Sequence, residues 1–233
     1  MVNGMSNKPK TNVYVDGFNL YYAIRRYRPC CKWLDLSALC QRVLTGYDIH
    51  RIRYFTARIQ TRSGEQEPGR RQLVYLRALR TIPNLTIHEG RFLTSEKWSV
   101  LVNRPDNSIM EMPGILEYHK ANGVPMAYVI KVEEKGSDVN LATHLLLDAF
   151  HHDFEAAVVI SNDSDLVEPV RVVQREFKVP VGVLNPHRST SFALQQAATF
   201  YRPLRQGPMH ASQFPPVLRV GKGTVRQPEK WKT

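Results

Sequence analysis

The fold class this sequence predicts is α/β, with a mostly parallel central sheet and helices on both faces. Three observations carry that expectation. Short apolar runs of strand character alternate with stretches of helical periodicity along most of the 233 residues. Ala156 to Ile160 is a continuous, β-branched apolar run of the kind that is buried on both faces of a parallel sheet. Asp163 and Asp165 follow that run at once, and the carboxyl edge of a parallel sheet is where α/β folds place ligands.

The elements follow in order. Asn12 to Val15 opens a strand that ends in Asp16-Gly17, and Phe18 to Arg26 reads as a helix broken by Pro29. Leu36 to Leu44 is helical, with Asp35 as N-cap and Gly46 as stop. His50 to Ile59 alternates, with Ile52 and Tyr54 on one face, and predicts a strand; Thr61 to Gly69 is a polar loop. Gly69 to Thr81 sets Leu73, Leu76 and Leu79 against Arg70, Arg71, Arg77 and Arg80, which makes an amphipathic helix with a basic face. Leu85 to Phe92 is a strand. Residues 93 to 126 hold Pro105, Pro113 and Pro125 and read as an irregular insertion with a short hairpin. Ala127 to Val132 is a strand and Ser137 to Phe150 a long helix. After the 156–160 strand come a helix over Leu166 to Phe177, a strand over Pro180 to Leu184 and a last helix over Phe192 to Phe200.

Charge and composition bound the function. Hydrophobic residues make up 42% of the chain, enough for a substantial core, and the net charge of +11 favours polyanionic partners, chiefly nucleic acid or an anionic membrane surface. The charge is concentrated at the end: residues 202–233 carry seven Lys or Arg against one acid, Glu229. This basic C-terminal arm, residues 201–233, is either packed over the body or partly disordered, and Phe214, Val217, Leu218 and Trp231 favour packing. Cys30, Cys31 and Cys40 make no CxxC pattern and are expected as free thiols. The chain lacks a secretory signal and any apolar run long enough to span a membrane, so a cytoplasmic protein with no membrane partner is expected.

Acidic residues recur at the ends of the expected strands. Asp16 closes the first, with Asn19 three residues on; Asp138 opens the long helix in EEKGSDVN; Asp163 and Asp165 follow the 156–160 strand. Carboxylates converging on one crevice repel one another unless a cation joins them, and oxygen donors suit Mg²⁺ or Mn²⁺. Each also has a plain structural role: Asp138 as a charge at a helix start, Asp163 and Asp165 as an Asx-turn with a cap, Asp16-Gly17 as a turn. Asp148 lies about 15 Å along the helix from Asp138, too far to share a metal, and is expected in a hydrogen bond or salt bridge. His144, His151 and His152 read as the cationic end of that helix.

VYVDGFNLYYAI, VEEKGSDVNLATHLLLDAF and AAVVISNDSDLVEPV, in this order and spacing, resemble the NYN domain family of PIN-like metal-dependent ribonucleases. The resemblance covers residues 11–200. It implies a PIN-like three-layer α/β/α sandwich and Mg²⁺- or Mn²⁺-dependent hydrolysis of RNA phosphodiester bonds. It implies Asp16, Asp138, Asp163 and Asp165 as catalytic and metal-holding residues, with Asn19 and Ser161 at accompanying polar positions. Asp163 is expected to coordinate directly, and Asp165 to act through water or to cap the following helix. Lys135 either neutralises the cluster, touches a phosphate or is a solvated turn charge. Arg70, Arg71, Arg77, Arg80 and the basic arm are candidate backbone-binding surfaces, and bases could stack on Tyr21 and Tyr22 or these could pack in the core. RNA is the expected partner; DNA is equally compatible with the charge, and a homo-oligomer is left open. The alternative is a non-catalytic nucleic-acid-binding or regulatory module on the same fold.

Overall fold

The computed structural model describes residues 8–59, 67–100, 119–121, 124–221 and 223–232. Residues 61–66 of the expected polar loop and 101–118 of the expected insertion lie outside them. In chain order the elements are β1 (Lys10–Asp16), α1 (Gly17–Tyr27), α2 (Leu36–Val43), β2 (Asp48–Ala57), α3 (Glu67–Leu79), β3 (Leu85–Val100), β4 (His119–Ala121), β5 (Val124–Lys135), α4 (Ser137–Phe150), β6 (Ala156–Ile160), α5 (Val167–Phe177), β7 (Val181–Asn185), α6 (Phe192–Ala197), β8 (Phe200–Pro203), α7 (Gln206–His210), β9 (Val217–Val220) and β10 (Gly223–Arg226). The chain forms two compact units, one made of the residues up to Arg91 and from Gly136 onward, the other of Phe92–Lys135.

In the first unit the sheet runs β3-β2-β1-β6-β7-β8, and these neighbours pair in parallel. The chain builds outward from β1 through β2 to β3, then returns to the other side of β1 to lay down β6, β7 and β8. The strand order therefore reverses between β1 and β6, the position at which an open α/β sheet leaves a crevice outside its carboxyl ends. Both faces of the sheet are buried, as the continuous apolar run over Ala156–Ile160 requires. Val13, Val15, Ile52, Tyr54, Val158 and Ile160 face one core, closed by Leu20, Ile24, Leu36, Leu39, Leu76 and Leu79 from α1, α2 and α3. Tyr14, Phe55, Ala157, Val159, Val181 and Val183 face the other, closed by Leu141, Leu145, Val170, Val173 and Leu194 from α4, α5 and α6. This alternation along each strand produces a three-layer sandwich with a mostly parallel sheet.

The structure departs from the expected elements at several points. Phe200 is not the end of a helix; it opens β8, pairing with Gly182 of β7. A Cβ at Gly182 would meet the Phe200 ring at 2.0 Å, so the glycine is what lets this aromatic lie across β7, and Pro203 cannot extend a helix in any case. Leu73, expected on the apolar face of α3, is exposed, and Gly69 and Ala78 join Leu76 and Leu79 on the buried face. The stretch after Arg202 belongs to the first unit and packs within it. Phe214 N–H donates to the Trp33 carbonyl at 2.9 Å, Trp33 Nε1 donates to Pro215 O at 3.0 Å, and Trp231 lies against both Trp33 and Tyr75. Trp33 is fully buried by these contacts.

The second unit carries the distal part of β3, which runs on to Val100, with β5 and the antiparallel β4–β5 pair. The hairpin expected in this region is thus present, and β5 is longer than the expected 127–132 strand. Lys135, at the end of β5, is exposed and sits 3.7 Å from Glu133.

Candidate functional site

Asp16 is the last residue of β1 and the N-cap of α1. Its Oδ1 accepts the Asn19 backbone N–H at 2.9 Å, the bond by which an N-cap carboxylate closes a strand-to-helix turn. Its Oδ2 accepts the Ser161 hydroxyl at 2.9 Å, across the β1–β6 junction where Val15 pairs with Ile160. The same Ser161 oxygen accepts the Asp163 N–H at 3.1 Å, and Asp163 in turn caps a short 3-10 turn by accepting the Asp165 N–H at 3.0 Å. Asp163 is thus tied to Asp16 through one serine. Asp138 sits in the first turn of α4, behind Gly136, whose φ of 100° lies in the left-handed region that glycine alone enters freely.

Asp16 is buried, and burial pushes its carboxyl up from 3.8 to about 7. The charges of Asp138 and Asp163 push the same way, while the Asn19 N–H and the Ser161 hydroxyl oppose. Three of the four expected acidic residues therefore share one electrostatic field, and no cation is among the groups acting most strongly on Asp16. Asp165 is different: it is exposed, and its backbone serves the Asp163 cap.

Further hydrogen bonds fix this corner. Asn19 Oδ1 accepts the Asn162 N–H at 3.0 Å, and the Asn19 carbonyl lies 3.1 Å from His187 Nε2. Asn162 Oδ1 accepts from Ser191 N–H at 2.9 Å and from the Tyr201 hydroxyl at 2.7 Å. The loops after β1, β6 and β7 are thereby bound to one another. Asn162, His187, Ser191 and Tyr201 were not among the residues expected from the sequence; only Asn162, inside SNDSD, had a signal there.

Among the described residues no group of three or more His, Cys, Asp or Glu is drawn together closely enough to hold a metal ion. The donor chemistry nonetheless fits a hard divalent cation. The donors are carboxylate and hydroxyl oxygens, and a buried carboxylate that feels the charge of two others is stabilised by a positive charge.

The other expected residues fall elsewhere. Arg70 and Arg71 lie on α3, 3.8 Å and 3.5 Å from Glu67, and Arg80, just beyond it, is 3.2 Å from Glu89, which also pairs with Arg58; Arg77 is exposed. Asp148 is a structural residue, as its distance from Asp138 predicted. Arg53 donates to both its oxygens at 2.7 Å and Tyr14 adds a third hydrogen bond at 2.7 Å, all buried. His144 is not part of a cationic helix end: it stands mid-helix with its ring 4.1 Å from that of His88. Burial and the Arg53 guanidinium lower its basicity.

A recess of about 450 Å³, counting its open mouth, adjoins the carboxylates through Gly17. Tyr21 and Tyr22 both line it, together with Tyr54, Gln72, Tyr75 and Trp231; Tyr21 also packs against the core, as expected, while Tyr22 is exposed.

The NYN domain model matches residues 10–204 of the chain, a span that includes all three acidic motifs. The chain belongs to the NYN domain family. NYN domains are part of the PIN-like nuclease superfamily. The chain is also 30% identical, over 95% of its length and 75% of the relative's, to 6-hydroxy-3-succinoylpyridine 3-monooxygenase HspA of Pseudomonas putida (strain DSM 28022 / S16). Its fold resembles the crystal structure of a Vibrio parahaemolyticus RIMD 2210633 protein of unknown function, with a TM-score of 0.52 and 18% identity over 86% of this chain and 96% of that one. Among the described residues no helix is long and apolar enough to cross a membrane.

Proposed function

We propose that this NYN domain is a divalent-metal-dependent endoribonuclease that hydrolyses RNA phosphodiester bonds. The observation that carries the reading is the Asp16–Ser161–Asp163 linkage at the β1/β6 switch point, with Asp138 acting on the same buried carboxyl. Asp16, Asp138 and Asp163 would hold Mg²⁺ or Mn²⁺, with Asp165 reaching it through water. Such an ion supplies charge neutralisation and an acidified water. The chain's own residues fix the frame. Asn19 and Ser161 hold the Asp16 carboxylate by both oxygens, and the Asn162 contacts hold the loops that present Asp163. A water positioned by these carboxylates attacks phosphorus and gives up a proton to one of them. The P–O bond to the leaving ester oxygen breaks, and that oxygen is protonated from solvent. Lys135 and the arginines of α3, with the basic arm, would meet the RNA backbone, an interaction that weakens with salt. The proposed setting is cytoplasmic.

The test is cleavage of a labelled RNA in Mg²⁺ or Mn²⁺ by the wild type, Asp138→Asn and Asp163→Asn. Both variants are expected to lose activity by at least about 100-fold with unchanged circular dichroism; unchanged cleavage by both overturns the assignment. Salt-sensitive RNA binding with no products in either metal would point instead to a non-catalytic binding module.

One observation favours a second reading. The Pseudomonas relative is named as a monooxygenase of a pyridine, and this chain places an aromatic recess beside its carboxylates. Oxygenation of a small heteroaromatic ring would be read by mass spectrometry after incubation of a hydroxypyridine with dioxygen and a two-electron reductant.

A further inference from the structure

The recess beside Asp16 has the make-up of a ring-binding site. Gly17 forms its floor. A Cβ there would meet the Phe55 carbonyl at 2.5 Å and the Tyr54 hydroxyl at 2.8 Å, so only glycine lets the start of α1 lie this close to β2 and to the Tyr54 hydroxyl. Tyr21 and Tyr22 stand on one side, in edge-to-face contact at 5.7 Å, and Tyr22 is 53% exposed at the mouth. Trp231 reaches the recess from the far end of the chain and is itself buried, so the C-terminal arm completes the wall.

The polar groups inside sort cleanly. Gln72 is committed: its amide donates to the Ala57 carbonyl at 2.8 Å, and its oxygen accepts the Ile59 N–H at 2.9 Å. The Tyr54 hydroxyl is not. Tyr54 is only 5% exposed, yet among the described residues its hydroxyl has no hydrogen-bond partner, and it lines the recess. The hydroxyl is not among the fully buried unpartnered atoms, so it opens into the recess and is free to donate to a group bound there. Burial, and then the charge of Asp16, raise this phenol above its ordinary value, so it stays protonated and acts as a donor.

We propose that the recess binds one planar heteroaromatic ring between its aromatic walls, with the Tyr54 hydroxyl donating to a carbonyl oxygen or ring nitrogen on the ring's edge. Because Gly17 follows Asp16 directly, the bound ring lies one residue from the carboxylates. Two sources share this chemistry: a nucleobase flanking the phosphate, in which case the assignment rests on the hydrolytic reading, and a free pyridone-like compound.

Ligand-observed NMR on the full chain in EDTA, with uridine 5′-monophosphate and 2-pyridone as separate probes, tests the proposal without any turnover. Saturable binding of at least one probe is expected. Tyr54→Phe keeps the ring and deletes only the donor, and is expected to weaken binding by about three- to tenfold. Tyr22→Ala, at an exposed position, is expected to weaken it by about fivefold or more through lost stacking. Binding of the nucleotide alone identifies a base site, and binding of the pyridone, with or without the nucleotide, a site for the ring itself. No saturable binding of either probe, or wild-type affinity in both variants, overturns the proposal. Because metal is absent, loss of ring binding and loss of RNA cleavage are separate results, and either can fail while the other stands.

Discussion

Asp16→Asn is the perturbation that reads the site most directly, because it removes the charge and keeps the shape. In the folded chain the Asp16 carboxyl is raised from 3.8 to about 7, chiefly by burial and then by Asp138 and Asp163. The folded state therefore holds this proton over a pH range in which the unfolded chain has lost it. Stability from that proton is fully present below about pH 4 and is lost as pH rises through about 7. Integrated between about pH 5 and pH 8, the loss is about 3 kcal/mol as an upper figure, or roughly 6–12 °C in Tm for a chain of this size. Asp16→Asn has no such proton. In EDTA, its melting temperature should cross that of the wild type, falling level with or below it near pH 5 and well above it near pH 8. Adding Mg²⁺ or Mn²⁺ at the higher pH should raise the wild type and leave the variant nearly unmoved, since a ligand stabilises only the state that binds it. Differential scanning fluorimetry across this range is sufficient. Parallel pH profiles for the two proteins would refute the buried, mutually repelling carboxylate on which the site is built.

The remaining expectations concern the frame. Arg53→Met leaves Asp148 buried with only Tyr14 as partner, and urea unfolding should show a loss of about 3–5 kcal/mol while metal-dependent protection at Asp16 persists. Gly17→Ala forces a methyl against the Phe55 carbonyl and the Tyr54 ring; a cost of about 1–3 kcal/mol is expected, together with loss of ring binding in the recess, and unchanged melting would show that the strand and helix yield there. Lys178 ends α5 at φ 58°, and Lys178→Gly should raise stability by about 1 kcal/mol in the same unfolding assay, with no effect on RNA cleavage.

The legible parts of this fold were those in which one local rule points one way. Ala156–Ile160 is continuous and β-branched, so it was recognisable as a doubly buried strand. Asp35 capped the helix expected of it, accepting the Ala38 N–H at 3.0 Å. What could not be read were features decided by two distant segments at once. Phe200 looks like a helix residue until Gly182, eighteen positions away, leaves it room to lie flat as a strand. His144 looks like part of a cationic helix end until β3 brings His88 against it. Tyr54 was placed on the correct face by alternation, but nothing in the sequence says that Gly17 comes within contact of its hydroxyl. In the same way the acidic motifs showed that carboxylates stand at strand ends. They did not show that a serine joins Asp16 to Asp163, or that Asp165 points its side chain outward.

The geometry also separates charge from scaffold within the site. Each of Asp16 and Asp163 does two jobs: its carboxylate takes part in the shared field, and one of its oxygens accepts a backbone N–H that closes a turn. An asparagine at either position retains the accepting oxygen, so the turn after β1 or β6 survives and only the charge is lost. An alanine loses both, and the cap with it, at a cost of about 1 kcal/mol in each turn. Comparing the asparagine with the alanine variants therefore resolves which function a lost activity belongs to. If Asp163→Asn is as inert as Asp163→Ala yet melts like the wild type, the carboxylate is used for its charge. If only the alanine variant fails, the residue is a cap, and the loop it shapes, rather than any bound cation, is what the site requires.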